Sequence, residues 1–150
     1  MDWNAKLFAQ LTLLELYEIL QLRNEVFIVE QNCPYQDLDD KDKVATHLWT
    51  TDQAGKIVAY CRLLPVDVSY KEPSIGRVAT HKDARKSGLG RALMVEAIRH
   101  ITEEWHEGSI RISAQSYLKV FYESLGFVPV GEEYLEDNIP HIEMLRGVNT

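Results

Sequence analysis

The chain has 150 residues, 45% hydrophobic and 26% charged, with a formal net charge of −7. That is the profile of a globular chain, long enough for a single domain over residues 1–150 with one real core. A negative surface disfavours nucleic acid and anionic membrane as partners, and no apolar run approaches the ~20 residues that span a bilayer. The start, Met1-Asp2-Trp3-Asn4, has neither the basic nor the apolar region of an export signal. The two cysteines, Cys33 and Cys61, have no CxxC spacing and make no disulfide framework. A reducing, cytoplasmic setting is the default.

The pattern predicts a strand over residues 4–10. Thr12 and Glu15 then form a capping box, and a helix follows to about residue 29, with Leu13, Leu16, Leu20 and Phe27 at helical spacing beside Leu14 and Tyr17. Residues 32–44 read as a polar loop. Strands at 47–50 and 57–64 form a hairpin, with Ile57, Ala59, Cys61 and Leu63 on one face and Val58, Tyr60, Arg62 and Leu64 on the other. A strand at 74–80 precedes a long helix over 87–105, striped by Leu89, Leu93, Ala97 and Ile101. A strand at 109–114, a short helix at 118–124 stopped by Gly126, and strands at 127–134 and 139–145 complete the chain. This mixture predicts an α/β domain.

The most informative stretch is Arg85-Lys86-Ser87-Gly88-Leu89-Gly90-Arg91, between a strand and a helix. A helix start carries free N–H groups and a partial positive charge, so it is a ready anion site. Gly88 and Gly90 let the backbone approach a phosphate closely. The run is neither a Walker loop nor a dinucleotide fingerprint, which disfavours a nucleotide-binding protein. R-x-x-G-x-G after a strand resembles motif A of the GNAT acetyltransferase superfamily, where this loop holds the pyrophosphate of coenzyme A. Phe121-Tyr122-Glu123-Ser124-Leu125-Gly126-Phe127 resembles motif B of the same superfamily.

The resemblance extends through residues 22–37 (LRNEVFIVEQNCPYQD), 75–78 (IGRV), 114–118 (AQSYL) and 136–142 (EDNIPHI), and is to the ElaA-like branch. It implies a GNAT-type mixed, mostly antiparallel sheet, split where two strands diverge, with helices on both faces. It implies acetyl-CoA as cosubstrate and direct acetyl transfer to a small-molecule or peptide amine. The cofactor would be held by Val78, Ala79 and Thr80 of the splayed strand and by the run 85–91, and Tyr122 would be the general acid. On its own, Tyr122 reads as an aromatic packing on the sheet. The acidic balance and the aspartate-rich loop point to a cationic acceptor. A homodimer is left open.

Some superfamily members carry a base glutamate on the strand before motif B, but the run 109–113 (SIRIS) has no carboxylate. Glu30 and His47 are therefore candidate bases, with Asp42 and His141 behind them; each also reads blandly, as a helix-end carboxylate or as a packed or carbonyl-bonded imidazole. Arg62 and Arg77 could bind an acidic group or simply pair with carboxylates. The acidic run 37–42 lacks the oxygen ligand and glycine of a calcium loop and reads as solvated; no His/Cys cluster has metal spacing. Without a base, the rival is an acyl-CoA-binding module or sensor with little catalysis.

Overall fold

Two antiparallel sheets meet along a single seam. The structure, a computed structural model, describes residues 1–147, so 148–150 of the expected domain lie outside it. The first sheet has the order β1-β2-β3-β4, formed by β1 (Asn4–Leu7), β2 (Thr46–Thr51), β3 (Ile57–Leu64) and β4 (Ser74–Thr80). The second has the order β5-β8-β6, formed by β5 (Ile110–Gln115), β8 (Ile139–Arg146) and β6 (Phe127–Pro129), with β7 (Tyr134–Glu136) also paired to β8. At the seam the Arg111 N–H donates to the Pro73 carbonyl at 3.0 Å, at the start of β4 and β5. Further along, no ladder joins these two strands among the described residues.

Helices cover both faces, as the fold expectation required. Helix α2 (Leu89–Arg99) lays Leu93, Met94, Ala97 and Ile98 onto Ala59, Cys61 and Leu63 of β3, and Ile110, Ile112 and Ala114 of β5 join the same core. A π-helical segment, His100–Glu104, extends it, with Ile101 still buried. Helix α1 (Leu13–Arg23) covers the opposite face, where Ile19 and Leu22 pack with Trp49, Tyr60 and Ala79. Helix α3 (Lys119–Glu123) is short and ends at Gly126, which has φ 94°.

The capping box forms as expected, with Glu15 N–H donating to Thr12 Oγ1 at 3.0 Å and Thr12 N–H donating to Glu15 Oε1 at 2.9 Å. The buried stripe of α1 differs from expectation. Leu13, Leu14 and Tyr17 are exposed, while Ile19, Leu22, Arg23 and Val26 face inward. The inward stripe contains an arginine, so hydrophobicity alone marks the wrong face. Strand β1 ends at Leu7, because a 3-10 turn, Phe8–Gln10, follows and the Gln10 side chain accepts from the Leu7 N–H at 2.9 Å. The alternation in β3 fails at Ile57, which packs with Tyr60, because the β2–β3 register shifts at Thr50/Thr51. The strand expected over 127–134 is two strands, broken around Gly131 at φ 91°.

Candidate active site

A cleft of about 990 Å³ opens where β4 and β5 part. Thr80, Arg85 and Gly90 line it towards the start of α2. Val78, Ile112, Leu118 and Tyr122 line it as well, as do Tyr70, Ser113, Glu136 and His141. Its β4 wall is shaped by a bulge. The β3–β4 register steps from Tyr60↔Ala79 to Arg62↔Gly76, so β4 carries one extra residue opposite Cys61. A bulge disrupts the ladder and re-aims the strand. Arg77 lies within it at φ 51°, in the left-handed region that non-glycine residues seldom occupy. Its guanidinium donates to Asp37 Oδ1 at 2.7 Å and to the Asp37 carbonyl at 3.0 Å, and lies 5.8 Å from the Tyr35 ring centre.

The loop before α2 has the shape of an anion cradle. Lys86 and Gly88 take φ 69° and 79°, so the chain winds left-handed just before the helix starts at Leu89. The N–H groups of that first turn have no partner within the helix. A Cβ on Gly90 would meet nothing closer than Thr80 Cγ2 at 3.8 Å. Packing therefore does not require glycine at position 90, and its bareness keeps open the space that the cleft occupies there. Leu89 anchors the turn in the core, and the Ser87 hydroxyl donates to the Ala84 carbonyl at 2.6 Å. Arg85 donates to the Thr80 carbonyl at 2.9 Å and to Glu30 Oε1 at 2.6 Å. Arg91 turns instead to α3, donating to Ser124 Oγ at 2.7 Å with its guanidinium 5.5 Å from the Phe121 ring centre. Of the three strand residues expected here, Val78 and Thr80 line the cleft, while Ala79 is buried under α1.

Tyr122 sits on the same cleft, 6% exposed, with Phe121 and Phe127 edge-on at 5.2 and 6.0 Å. Burial pushes its phenol pKa well above the usual tyrosine value, and nearby Cys61 and Tyr117 act in the same direction. The phenol is therefore neutral at physiological pH and available as a donor. Its hydroxyl makes no hydrogen bond among the described residues.

Neither candidate base is placed for the task. Glu30 lines the cleft but is engaged by Arg85. His47 is 0% exposed and does not line the cleft. Its Nε2 lies 2.9 Å from the Asp42 carbonyl and must carry a proton; its Nδ1 lies 2.7 Å from Tyr60 Oη and must accept one. Both nitrogens are thus committed, and burial pushes the pKa down. His47 is a structural imidazole beneath α1.

The acidic loop is not solvated as expected. Arg23, 0% exposed, reaches Asp37 at 3.0 Å and Asp42 at 2.7 Å. Arg62 reaches Asp39 at 2.6 Å and Asp42 at 3.0 Å. Together with Arg77, three arginines are matched to three aspartates. Only a buried arginine on α1, invisible to hydrophobic periodicity, could have signalled this arrangement. Asp37, Asp39 and Asp42 are thus spent on folding, which removes their support for a cationic acceptor and leaves Asp40 as the exposed aspartate of the loop. Beyond the candidate His141, sequence spacing also missed the far side of the cleft, where Tyr134 and Ser113 share a hydrogen bond and Tyr134 stacks on His141.

Residues 15–146 match the model of the acetyltransferase (GNAT) domain. The chain belongs to the GNAT acetyltransferase family. It is 40% identical to protein ElaA of Escherichia coli K12, across 98% of this chain and 97% of that one. The crystal structure of E. coli ElaA superposes with a TM-score of 0.89 at 39% identity, covering 97% of this chain and 98% of that one. An acyl-CoA N-acyltransferase from Pseudomonas aeruginosa superposes with a TM-score of 0.91 at 46% identity, covering 98% and 100%. The chain is accordingly an acyltransferase of the GNAT type, and none of its helices among the described residues is long and apolar enough to cross a membrane.

Proposed function

We propose that this GNAT enzyme transfers an acetyl group from acetyl-CoA directly to the nitrogen of a small-molecule or peptide amine, with no covalent enzyme intermediate. One observation carries the reading: a glycine-bared helix start and a buried neutral phenol line the same cleft. The cleft fits the cosubstrate, because Gly88 and Gly90 leave backbone N–H groups approachable where a pyrophosphate needs them. Acetyl-CoA would supply a thioester carbonyl and a sulfur leaving group.

The first turn of α2, with Lys86 and Arg85 beside it, holds the pyrophosphate. The β4 bulge around Val78 interrupts the ladder, and backbone groups freed there meet the pantetheine arm or the carbonyl. Tyr122 donates to the sulfur. A phenol normally holds its proton more tightly than a thiol does, near pH 10 against ~8.5. Burial keeps the proton on the phenol until the C–S bond breaks, and the same dry surroundings disfavour a free thiolate, so sulfur draws the proton as it leaves. The carboxylate-free cleft face of β5 favours a second reading, a module that binds acyl-CoA without turning it over.

Release of free CoA thiol across a panel of amines, run beside thermal stabilisation by CoA, separates the two. Stabilisation with thiol release supports the transferase. Stabilisation with every amine inert supports the module. No stabilisation contradicts both.

A further inference from the structure

The cleft-facing residues of β5, Ile112, Ser113 and Gln115, hold no group that takes up a proton near neutral pH. Directly across the ladder from Gln115 is His141, which lines the cleft and is 6% exposed. Its Nδ1 lies 2.7 Å from the Ile139 carbonyl oxygen, which can only accept. The ring proton therefore sits on Nδ1, and Nε2 keeps its lone pair. The Glu136 carboxylate stands 3.5 Å from Nε2. A neutral ring gives that carboxylate nothing to accept, whereas a protonated Nε2 gains an ion pair. The Tyr134 ring stacks on the imidazole at 6.1 Å and 28°, and its hydroxyl is tied to Ser113. The imidazole is thus held in one tautomer and one orientation, with a carboxylate facing Nε2.

We propose that His141 is the proton acceptor of the transfer, taking the proton of the acceptor ammonium onto Nε2 while Glu136 stabilises the imidazolium. The proposal rests on the acetyl-transfer reading above. The ammonium N–H bond breaks and its proton goes to Nε2. The freed nitrogen lone pair forms the C–N bond, and the C–S pair leaves with sulfur. Sulfur takes the Tyr122 proton, and the second proton lost from nitrogen restores the phenol through solvent. His141 then releases its proton to water. Among the described residues Glu136 and Tyr134 from β7 face the ring, while Glu143, two positions along its own strand, is held by Arg111 at 3.1 Å.

The test uses His141→Asn, whose amide N–H can still donate to the Ile139 carbonyl but which has no counterpart of Nε2. Two probes are compared, n-butylamine, which is protonated at neutral pH, and hydroxylamine, which is not. Side-chain nitrogen NMR of histidine-labelled wild type with CoA bound reads the tautomer independently of turnover. The expected result is a neutral ring that carries its proton on Nδ1 rather than Nε2, normal CoA stabilisation of the variant, and a loss of ~10²-fold or more in kcat for butylamine. Hydroxylamine turnover should change far less. An Nε2–H ring, an unchanged butylamine rate, or an equal loss with both probes would overturn the proposal. Wild type that CoA fails to stabilise would instead refute the acetyl-transfer reading itself.

Discussion

Arg77, at φ 51° in the bulge of β4, is clamped by Asp37 through Nε to Oδ1 at 2.7 Å and Nη2 to the carbonyl at 3.0 Å. The same carboxylate accepts from Arg23 on α1 at 3.0 Å. One aspartate of the loop after α1 thus ties the helix to the irregular stretch of strand that forms a wall of the cleft. A left-handed non-glycine residue persists only where its surroundings over-determine it, and here the clamp does so.

Asp42 joins Arg23 and Arg62, two arginines that are almost wholly buried. Asp42→Ala would leave both short of a counter-charge, a loss of about 3–5 kcal/mol when one partner of a buried pair is removed. The urea midpoint should fall with an unchanged slope. Asp40 stands solvent-exposed in the same loop at φ 68°, a conformation asparagine also tolerates, so Asp40→Asn should leave the midpoint where it is. Equal effects from the two substitutions would mean that the loop charges act collectively and not through the buried pairs.

Acid should weaken the fold in two stages. Burial pushes His47 down, so the unfolded chain binds a proton there first; the stability this contributes is present above ~6.5 and is lost as pH falls from there towards the folded value. His100, also pushed down by burial, adds with the same sign. Burial pushes the Asp39 and Asp42 carboxyls up, but hydrogen bonds and charge from Arg62 and Arg23 outweigh it and hold both below the usual range. Their contribution is present above ~3.9 and is lost as pH falls below it. Urea midpoints measured against pH should show a shallow decline and then a steep one. His47→Gln should flatten the first, and a decline identical to wild type would remove His47 as its source.

Tyr122→Phe should keep CoA affinity and cut kcat by about 10²–10⁴-fold, the usual cost of losing a positioned acid. Its hydroxyl bonds nothing among the described residues, so thermal stability should barely move. An unchanged kcat would make Tyr122 a packing residue only.

The cradle and Tyr122 were legible in the sequence because each depends on local spacing: two glycines at a helix start, and an aromatic pair before a stopping glycine. The base was not. His47 and Glu30 carry suitable chemistry, but their availability depends on Tyr60, on the Asp42 carbonyl and on Arg85, partners that lie up to 55 positions away in the chain. The buried face of α1 was misassigned for a related reason. Arg23 counts as polar in any periodicity, and only the folded loop supplies the aspartates that let it go inside.

In the proposed complex the pyrophosphate of CoA rests on the first turn of α2. Gly90→Val tests it most directly. The added Cβ has room within the protein, with Thr80 Cγ2 at 3.8 Å, and valine costs a helix no more than glycine does. Unliganded stability should therefore stay near that of wild type. Wild type should gain ~2.7 kcal/mol from CoA at ~100 times Kd. The variant should gain little, and pantetheine, which lacks the pyrophosphate, should bind both proteins about equally. If Gly90→Val keeps the full stabilisation by CoA, the anion sits elsewhere and the assignment of the cleft is wrong.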